Sequence, residues 1–300
     1  MPGLETVPDL ERRFAGLQRL YGVAGAAAIR GAHVAVVGLG GVGSWAAEAL
    51  ARSGVGELTL IDLDHVSESN INRQIQALDS TVGQAKVLAM RERIGQIHPG
   101  CIVHCVEEFV EPGNWPQLLP AGVDAVIDAC DQVKAKTAMA AWALRQRGLQ
   151  FISAGAAGGK RLAHQVDIDD LARTTHDPLL AQLRYRLRKE HGAPREGKAI
   201  GVACVFSREA VAPPDPSCAI AKFMASTAAS STSNCRCGSI WSRHSATPLQ
   251  ASGASSDSSM RSNRSRYSSS SAARRRAAPA CEDVLVTAHC VPAKKNLLPV

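Results

Sequence analysis

The chain has 300 residues, is 45% hydrophobic but only 4% aromatic, and carries a formal net charge of +7. That length builds one large domain or two ordinary ones, and the lack of any apolar run of about 18 residues excludes a membrane-spanning helix. Positive charge alone would point to nucleic acid or a membrane surface, but residues 1–216 hold 23 Lys and Arg against 24 Asp and Glu, whereas residues 217–300 hold 11 against 3.

In chain order, Met1 to Phe14 contains Glu5, Asp9 and Glu11 and no apolar stretch, so it is not a secretory signal. Tyr21 to Arg30 is Ala-rich and predicts a helix. His33–Val37 is a short β-branched run ending in Gly38, as expected of a buried parallel strand. Gly38-Leu39-Gly40-Gly41-Val42-Gly43 follows, then a helix over Ser44–Arg52 and a second strand over Glu57–Asp62. A strand, glycine turn, helix and strand with an acid at its tip open a doubly wound, mainly parallel Rossmann-like α/β sheet. The alternation continues with a helix over Thr81–Ile97 and strands over Cys101–Val106 and Val123–Asp128. A helix over Lys134–Arg147 and a strand over Gln150–Gly155 come next. Gln165–Ile168 reads as a strand, and Asp177-Pro178 opens a helix running to His191. On that helix Leu179, Leu180, Leu183 and Leu187 make the apolar face, and Arg184, Arg186, Arg188 and Lys189 read as a solvated one. Val202–Ser207 is the last strand before Pro213-Pro214-Asp215-Pro216. The nine cysteines include no C-x-x-C pair, which argues against a disulfide scaffold or zinc ribbon and fits thiols in a reducing cytoplasm.

In the glycine turn, Gly38 allows the tight bend, Gly40 lets backbone approach a phosphate, and Gly43 permits close helix–strand packing. Asp62, at the second strand's tip, suits ribose hydroxyls, and these features fit NAD, FAD or ATP equally. The discriminating segment is Ser67-Glu68-Ser69-Asn70-Ile71-Asn72-Arg73-Gln74, followed by Lys86. A dinucleotide oxidoreductase leaves its pyrophosphate to backbone amides. An enzyme that breaks an α–β phosphate bond must neutralise charge on the departing pyrophosphate, as Arg73, Lys86 and Asn70 can. Asp128 and Asp131 place two carboxylates at a later strand tip, where carboxylate and phosphate oxygens together hold magnesium. No G-x-x-x-x-G-K-[ST] loop is present, which excludes a P-loop ATPase.

Arg13-Phe14, Val36 to Arg52, Leu60-Ile61-Asp62, Asn70 to Gln74, Gly83 to Lys86 and Asp128 to Asp131 closely resemble the ubiquitin-activating-like MoeB/ThiF superfamily. Gly155 to Gly159, Asp170 to Thr174, Asp177-Pro178-Leu179 and Gly201 to Ser207 resemble its bacterial branch of tRNA threonylcarbamoyladenosine dehydratases, over roughly residues 12–216. The resemblance implies a cytoplasmic homodimer that binds ATP and Mg2+, adenylates the carboxylate of a threonylcarbamoyl group on a tRNA adenosine, and closes a ring with loss of AMP. It also admits a sulfur-relay protein as a further partner. By position, Gly38, Gly40, Gly41 and Gly43 would line the nucleotide and Asp62 would hold the ribose. Asn70, Arg73, Gln74 and Lys86 would contact phosphates, Asp131 would ligate magnesium, and Arg13 would reach across the dimer to the γ-phosphate. For Cys204 no base is identifiable, so a nucleophile role has no support.

Residues 1–216 are therefore expected to form the adenylating domain, incomplete at its C-terminal end, and residues 217–300 a disordered tail. Of 26 serines, 19 lie between Ser217 and Ser271, with Arg274-Arg275-Arg276 close behind. The tail reads either as an Arg/Ser RNA-binding segment or as a shifted reading frame of a GC-rich gene, and its abrupt onset inside a domain favours the second. The competing functional readings are an adenylyltransferase that activates the C-terminus of a sulfur-carrier protein, a nicotinamide oxidoreductase, and an inactive frameshifted remnant.

Overall fold

Short runs of Val, Ile, Leu and Ala between glycine turns become the central strands because their backbone is paired on both edges and their side chains are covered on both faces. The computed structural model describes residues 8–195, 197–215 and 217. Its seven-stranded sheet comprises β1 (His33–Val37), β2 (Glu57–Ile61), β3 (Ile102–Val106), β4 (Ala125–Asp128), β5 (Gln150–Ala154), β6 (Val166–Asp170) and β7 (Ala203–Ser207). The spatial order is β3-β2-β1-β4-β5-β7-β6, and every pairing is parallel except that of β6 with β7. The chain steps outward from β1 to β2 and β3, then returns to place β4 on β1's other edge. The resulting crevice at the carboxyl ends of β1 and β4 is where such sheets bind ligands.

The helices are α1 (Leu10–Arg30), α2 (Gly43–Arg52), α3 (Lys86–Ile97), α4 (Val133–Ala143) and α5 (Pro178–Glu190). One face of the sheet packs Val34, Val36, Leu58 and Leu60 against Ile29, Leu50, Met90 and Ile94 of α1, α2 and α3. The other packs Ala35, Val37, Ile61 and Val126 against Ala135 and Met139 of α4 and against Trp115. The alternation of β1 thus feeds two cores, and the sheet is doubly wound as the sequence predicts. A third cluster seats Leu180, Leu183 and Leu187 of α5 on Ala140, Ala141, Cys204 and Phe206. Among the described residues no helix is long and apolar enough to cross a membrane. The Ser/Arg-rich tail lies outside the described residues apart from Ser217.

Three helix boundaries differ from the sequence reading, α4 ending at Ala143 rather than Arg147. The first helix begins at Leu10, capped by Asp9, whose side chain accepts from the Arg12 N–H at 2.9 Å, and it kinks at Gly22, where φ is 72°. The helix expected over Thr81–Ile97 starts only at Lys86. Asp79–Thr81 is instead a 3-10 turn, and Gly83 (φ 89°) takes a left-handed conformation that no helix interior accepts. Gln84 closes a turn with its N–H donating to the Thr81 carbonyl at 3.0 Å, the Val66 N–H donates to the Gln84 carbonyl at 2.8 Å, and Ala85 is bridged to His65. The late start delivers Lys86 to the sheet's carboxyl edge.

Asp177 ties α5 to β5. Its Oδ1 accepts from the Leu180 N–H at 2.9 Å as the helix cap, and its Oδ2 accepts from the Ala156 N–H at 2.8 Å beyond the tip of β5. Asp177→Ala is expected to lower stability by about 1–2 kcal/mol, read as a shift of the urea unfolding midpoint, whereas Asp177→Asn keeps the helix cap, gives up the bond to the Ala156 N–H and recovers only part of that loss.

Candidate active site

The glycine turn after β1 is held through the backbone of one residue. The Leu39 N–H donates to Asp62 Oδ2 at 2.6 Å, and the Leu39 carbonyl accepts from Gln76 Nε2 at 2.9 Å. Asp62 also accepts from the Asp64 N–H at 2.8 Å through its second oxygen. Burial pushes the Asp62 carboxyl above its ordinary range, a shift opposed by the charge of Lys86 and by the two N–H donors. Gly38 turns with φ 86°, and a Cβ there would lie 2.9 Å from the Cys130 backbone. A Cβ on Gly43 would overlap the Gly38 carbonyl oxygen, so α2 can start this close to β1 only with glycine. Gly40, by contrast, faces open space, with no atom within 4 Å of its would-be Cβ. Val42 caps α2 with no side-chain hydrogen bond; the Ser44 N–H is taken by the Gly40 carbonyl at 3.2 Å, which leaves the Gly43 and Trp45 N–H groups of the first turn to an external acceptor.

Cations flank this turn. Lys86, the first residue of α3, is buried, and its Nζ lies 2.8 Å from Asp64 Oδ2. Arg73 is exposed, and its side-chain carbons pass 3.4 and 3.5 Å from the position of a Cβ on Gly41. Its Nη1 donates to the Ser69 carbonyl at 2.5 Å and to Asn72 Oδ1 at 2.9 Å. Trp45 Nε1 donates to the Arg73 carbonyl at 2.9 Å, linking α2 to this segment. Asn70 is buried and uses Oδ1 to accept from the Ser67 N–H at 3.1 Å, closing a 3-10 turn. Buried Gln74 meets Gln76 at 3.4 Å, and Gln76 Oε1 accepts no hydrogen bond among the described residues.

The two acids after β4 part company. Asp131 is exposed at the loop mouth. Asp128 is fully buried, with its Oδ2 3.0 Å from Lys136 Nζ and 2.7 Å from Ser153 Oγ. Lys136, also fully buried, donates to the Ala154 carbonyl at 2.8 Å and reaches Ser153 Oγ at 3.2 Å. The expectation that both carboxylates are available to a metal is corrected for Asp128, which is saturated by groups that join β4, β5 and α4. Cys130 donates to Asp128 Oδ1 at 3.1 Å, and burial pushes its thiol well above the ordinary range. Burial likewise pushes Cys204 up to about 12, so neither is a thiolate nucleophile at neutral pH.

Arg13 stands apart from the rest. Its Nη1 donates to the Ile97 carbonyl at 2.7 Å, at the C-terminus of α3. Lys86 opens that 12-residue helix, so about 18 Å of α3 separates the two groups within one chain. The fold thus gathers Gly38, Gly40, Gly41, Gly43, Asp62, Asn70, Arg73, Gln74 and Lys86 around one crevice, with Asp131 on the loop after the neighbouring β4, and leaves Arg13 elsewhere. Sequence reasoning missed Gln76, Asp64, Lys136 and Ser153. Gln76 follows Arg73-Gln74 closely enough to have been found, whereas Lys136 meets Asp128 only through the β4–α4 packing.

An open backbone cradle, a helix N-terminus, a carboxylate at the second strand's tip and two cations beside them make this a nucleotide-binding α/β domain built to handle phosphate charge. The model of the ThiF family matches residues 11–237, and the chain belongs to that family. It is 48% identical over 204 residues to the tRNA threonylcarbamoyladenosine dehydratase of Escherichia coli K12, covering 68% of this chain and 76% of that protein. To the dehydratase of the same name from Haemophilus influenzae it is 44% identical over 204 residues, covering 68% and 78%. The crystal structure of the E. coli dehydratase, TcdA, in complex with ATP aligns with a TM-score of 0.65 at 47% identity, covering 68% of this chain and 84% of that one.

The buried Lys136–Asp128 pair generates a test of the frame. Lys136→Met leaves an uncompensated buried carboxylate and is expected to cost about 3–5 kcal/mol in urea unfolding, with much of the loss recovered when Asp128→Asn is added. Additive losses in the double variant would show that the two groups do not compensate one another.

Proposed function

We propose that this chain is an ATP-dependent dehydratase that cyclises threonylcarbamoyladenosine in tRNA through an adenylated carboxylate. The observation that carries the reading is the pair Arg73 and Lys86 beside the unfilled backbone at Gly40, on a chain of this family similar to an ATP-bound dehydratase. A carboxylate oxygen of the substrate attacks the α-phosphorus of ATP and pyrophosphate departs. The activated carbonyl is then attacked within the same modified nucleoside, closing the ring and releasing AMP. Hydroxide is a poor leaving group and AMP a good one, so ATP cleavage drives the net loss of water.

In this reading the α2 N-terminus and the Gly40–Gly41 backbone receive the phosphates, and Asp62 uses the lone pairs left by Leu39 and Asp64 to accept from ribose hydroxyls. Lys86 and Arg73 stabilise the charge that grows on pyrophosphate, which is where such groups lower a barrier. Asn70 and Gln74 shape the wall that carries Arg73. Exposed Asp131 would hold Mg2+, which would supply further charge neutralisation on the phosphates. The chain acts in the cytoplasm as a homodimer in which Arg13 serves the partner's site, because its own site lies a helix length away.

Two experiments check this. With ATP, labelled pyrophosphate and tRNA carrying threonylcarbamoyladenosine, wild-type protein is expected to exchange label into ATP. Lys86→Ala and Arg73→Ala should each lower that exchange by about 100-fold or more. Exchange dependent instead on a small carrier protein would overturn the tRNA assignment. For Arg13, mixing the inactive variants Arg13→Ala and Lys86→Ala under subunit exchange should restore roughly a quarter of wild-type activity, since half the dimers are mixed and each holds one intact site. No recovery, in dimers shown to exchange, would place Arg13 outside the partner's site.

A further inference from the structure

At the opposite end of the sheet from the glycine turn, three strands bring together side chains that the adenylation chemistry does not use. His33 opens β1 and Glu57 opens β2 directly beside it. His104 lies in β3 beside Thr59, two residues along from Glu57. Alternation along a strand puts His33, Glu57, Thr59 and His104 on one face. Glu57 Oε1 is 3.5 Å from His33 Nδ1 and 2.7 Å from His104 Nε2, so two imidazoles converge on a single carboxylate oxygen. All three donor atoms lie within 4.8 Å of one another, the one grouping of this kind among the described residues.

We propose that His33, Glu57 and His104 form a binding site for a divalent transition-metal cation of the Zn2+ class. Two imidazoles and one carboxylate make a donor set that suits zinc and its neighbours, whereas Mg2+ and Ca2+ demand oxygen. A tetrahedral ion with bonds near 2.0–2.1 Å holds its donors about 3.3 Å apart. The His33–Glu57 spacing already meets this, and the His104 side chain, 41% exposed, has room to retreat by the required fraction of an ångström.

The orientation of the deepest ligand is fixed as a metal site needs. His33 Nε2 lies 2.8 Å from Thr59 Oγ1, and the His33 backbone N–H donates to Asp124 Oδ2 at 3.0 Å. An outer-shell hydrogen bond of this kind sets which ring nitrogen faces the ion. His33 is buried while Glu57 and His104 are half-open, which gives the ion an entry path and leaves room for a water as fourth ligand. An ion there would cross-link β1, β2 and β3. Glu57 and Asp62 sit at opposite ends of β2, about 16 Å apart, so binding should be independent of nucleotide.

The test uses the full chain, stripped with chelator and titrated with Co2+ while visible absorption and thermal unfolding are followed. One equivalent should bind with the ligand-field bands of a tetrahedral nitrogen and oxygen site, without thiolate charge transfer, and should raise Tm. His104→Gln and Glu57→Gln each remove one donor from a half-exposed position. Each should weaken binding by roughly 100-fold or more and abolish the Tm rise, while far-UV circular dichroism and ATP binding stay unchanged. A chain that takes up no Co2+ or Zn2+ would overturn the proposal, and so would variants that bind with wild-type affinity or a spectrum dominated by thiolate ligation.

Discussion

The structure turns on the backbone of Leu39. Its N–H is held by a buried carboxylate, Asp62, at the tip of β2, and its carbonyl by a buried amide, Gln76, from the segment that also carries Arg73. The peptide units on both sides of one residue are fixed, so the glycine turn, the second strand and the segment that carries Arg73 move as one body. A turn so rich in glycine would otherwise be mobile, because glycine loses more freedom on folding than any other residue. Asp62 thus builds the cradle before it can bind anything in it, and its raised carboxyl pKa reflects the burial that this requires.

A second buried constraint supports the other half of the crevice. Lys136, Asp128, Ser153 and the Ala154 carbonyl join α4 to the carboxyl ends of β4 and β5, and Cys130 packs on the same carboxylate. Charges this deep persist only when each has a partner, and here every formal charge has one. The arrangement leaves Asp131 as the outward-facing acid of the loop and makes a rigid wall of the residues before it. Lys86 and Arg73, by contrast, pair with partners near solvent, Asp64 and the Ser69 carbonyl, which cost little to exchange for phosphate oxygens.

Much of the fold was legible because its central strands are buried on both faces and therefore read as short, mainly apolar runs between glycine turns: His33–Val37 and Glu57–Ile61 emerged within a residue of their observed bounds. The start of α3 was not legible, since amphipathic spacing carries on through Thr81–Ala85 while Gly83's positive φ and the pairing with residues 65 and 66 forbid a helix there. In the site, glycines and Asp62 announced themselves through spacing. Asp128 was misassigned because nothing local says whether a carboxylate at a strand tip faces solvent or a lysine eight residues on. Gln76 was overlooked because a glutamine carries no signal until the carbonyl it holds is seen. The net charge of +7 says nothing of the fold, for the excess lies after residue 216.

Whether the substrate carboxylate attacks the α-phosphorus is most directly decided by following its oxygens. With tRNA whose threonylcarbamoyl carboxylate carries 18O, turnover with ATP should deliver one labelled oxygen to AMP per ring closed, with unlabelled pyrophosphate as the other product. Label in inorganic phosphate with formation of ADP, or ring closure without any AMP, would contradict it.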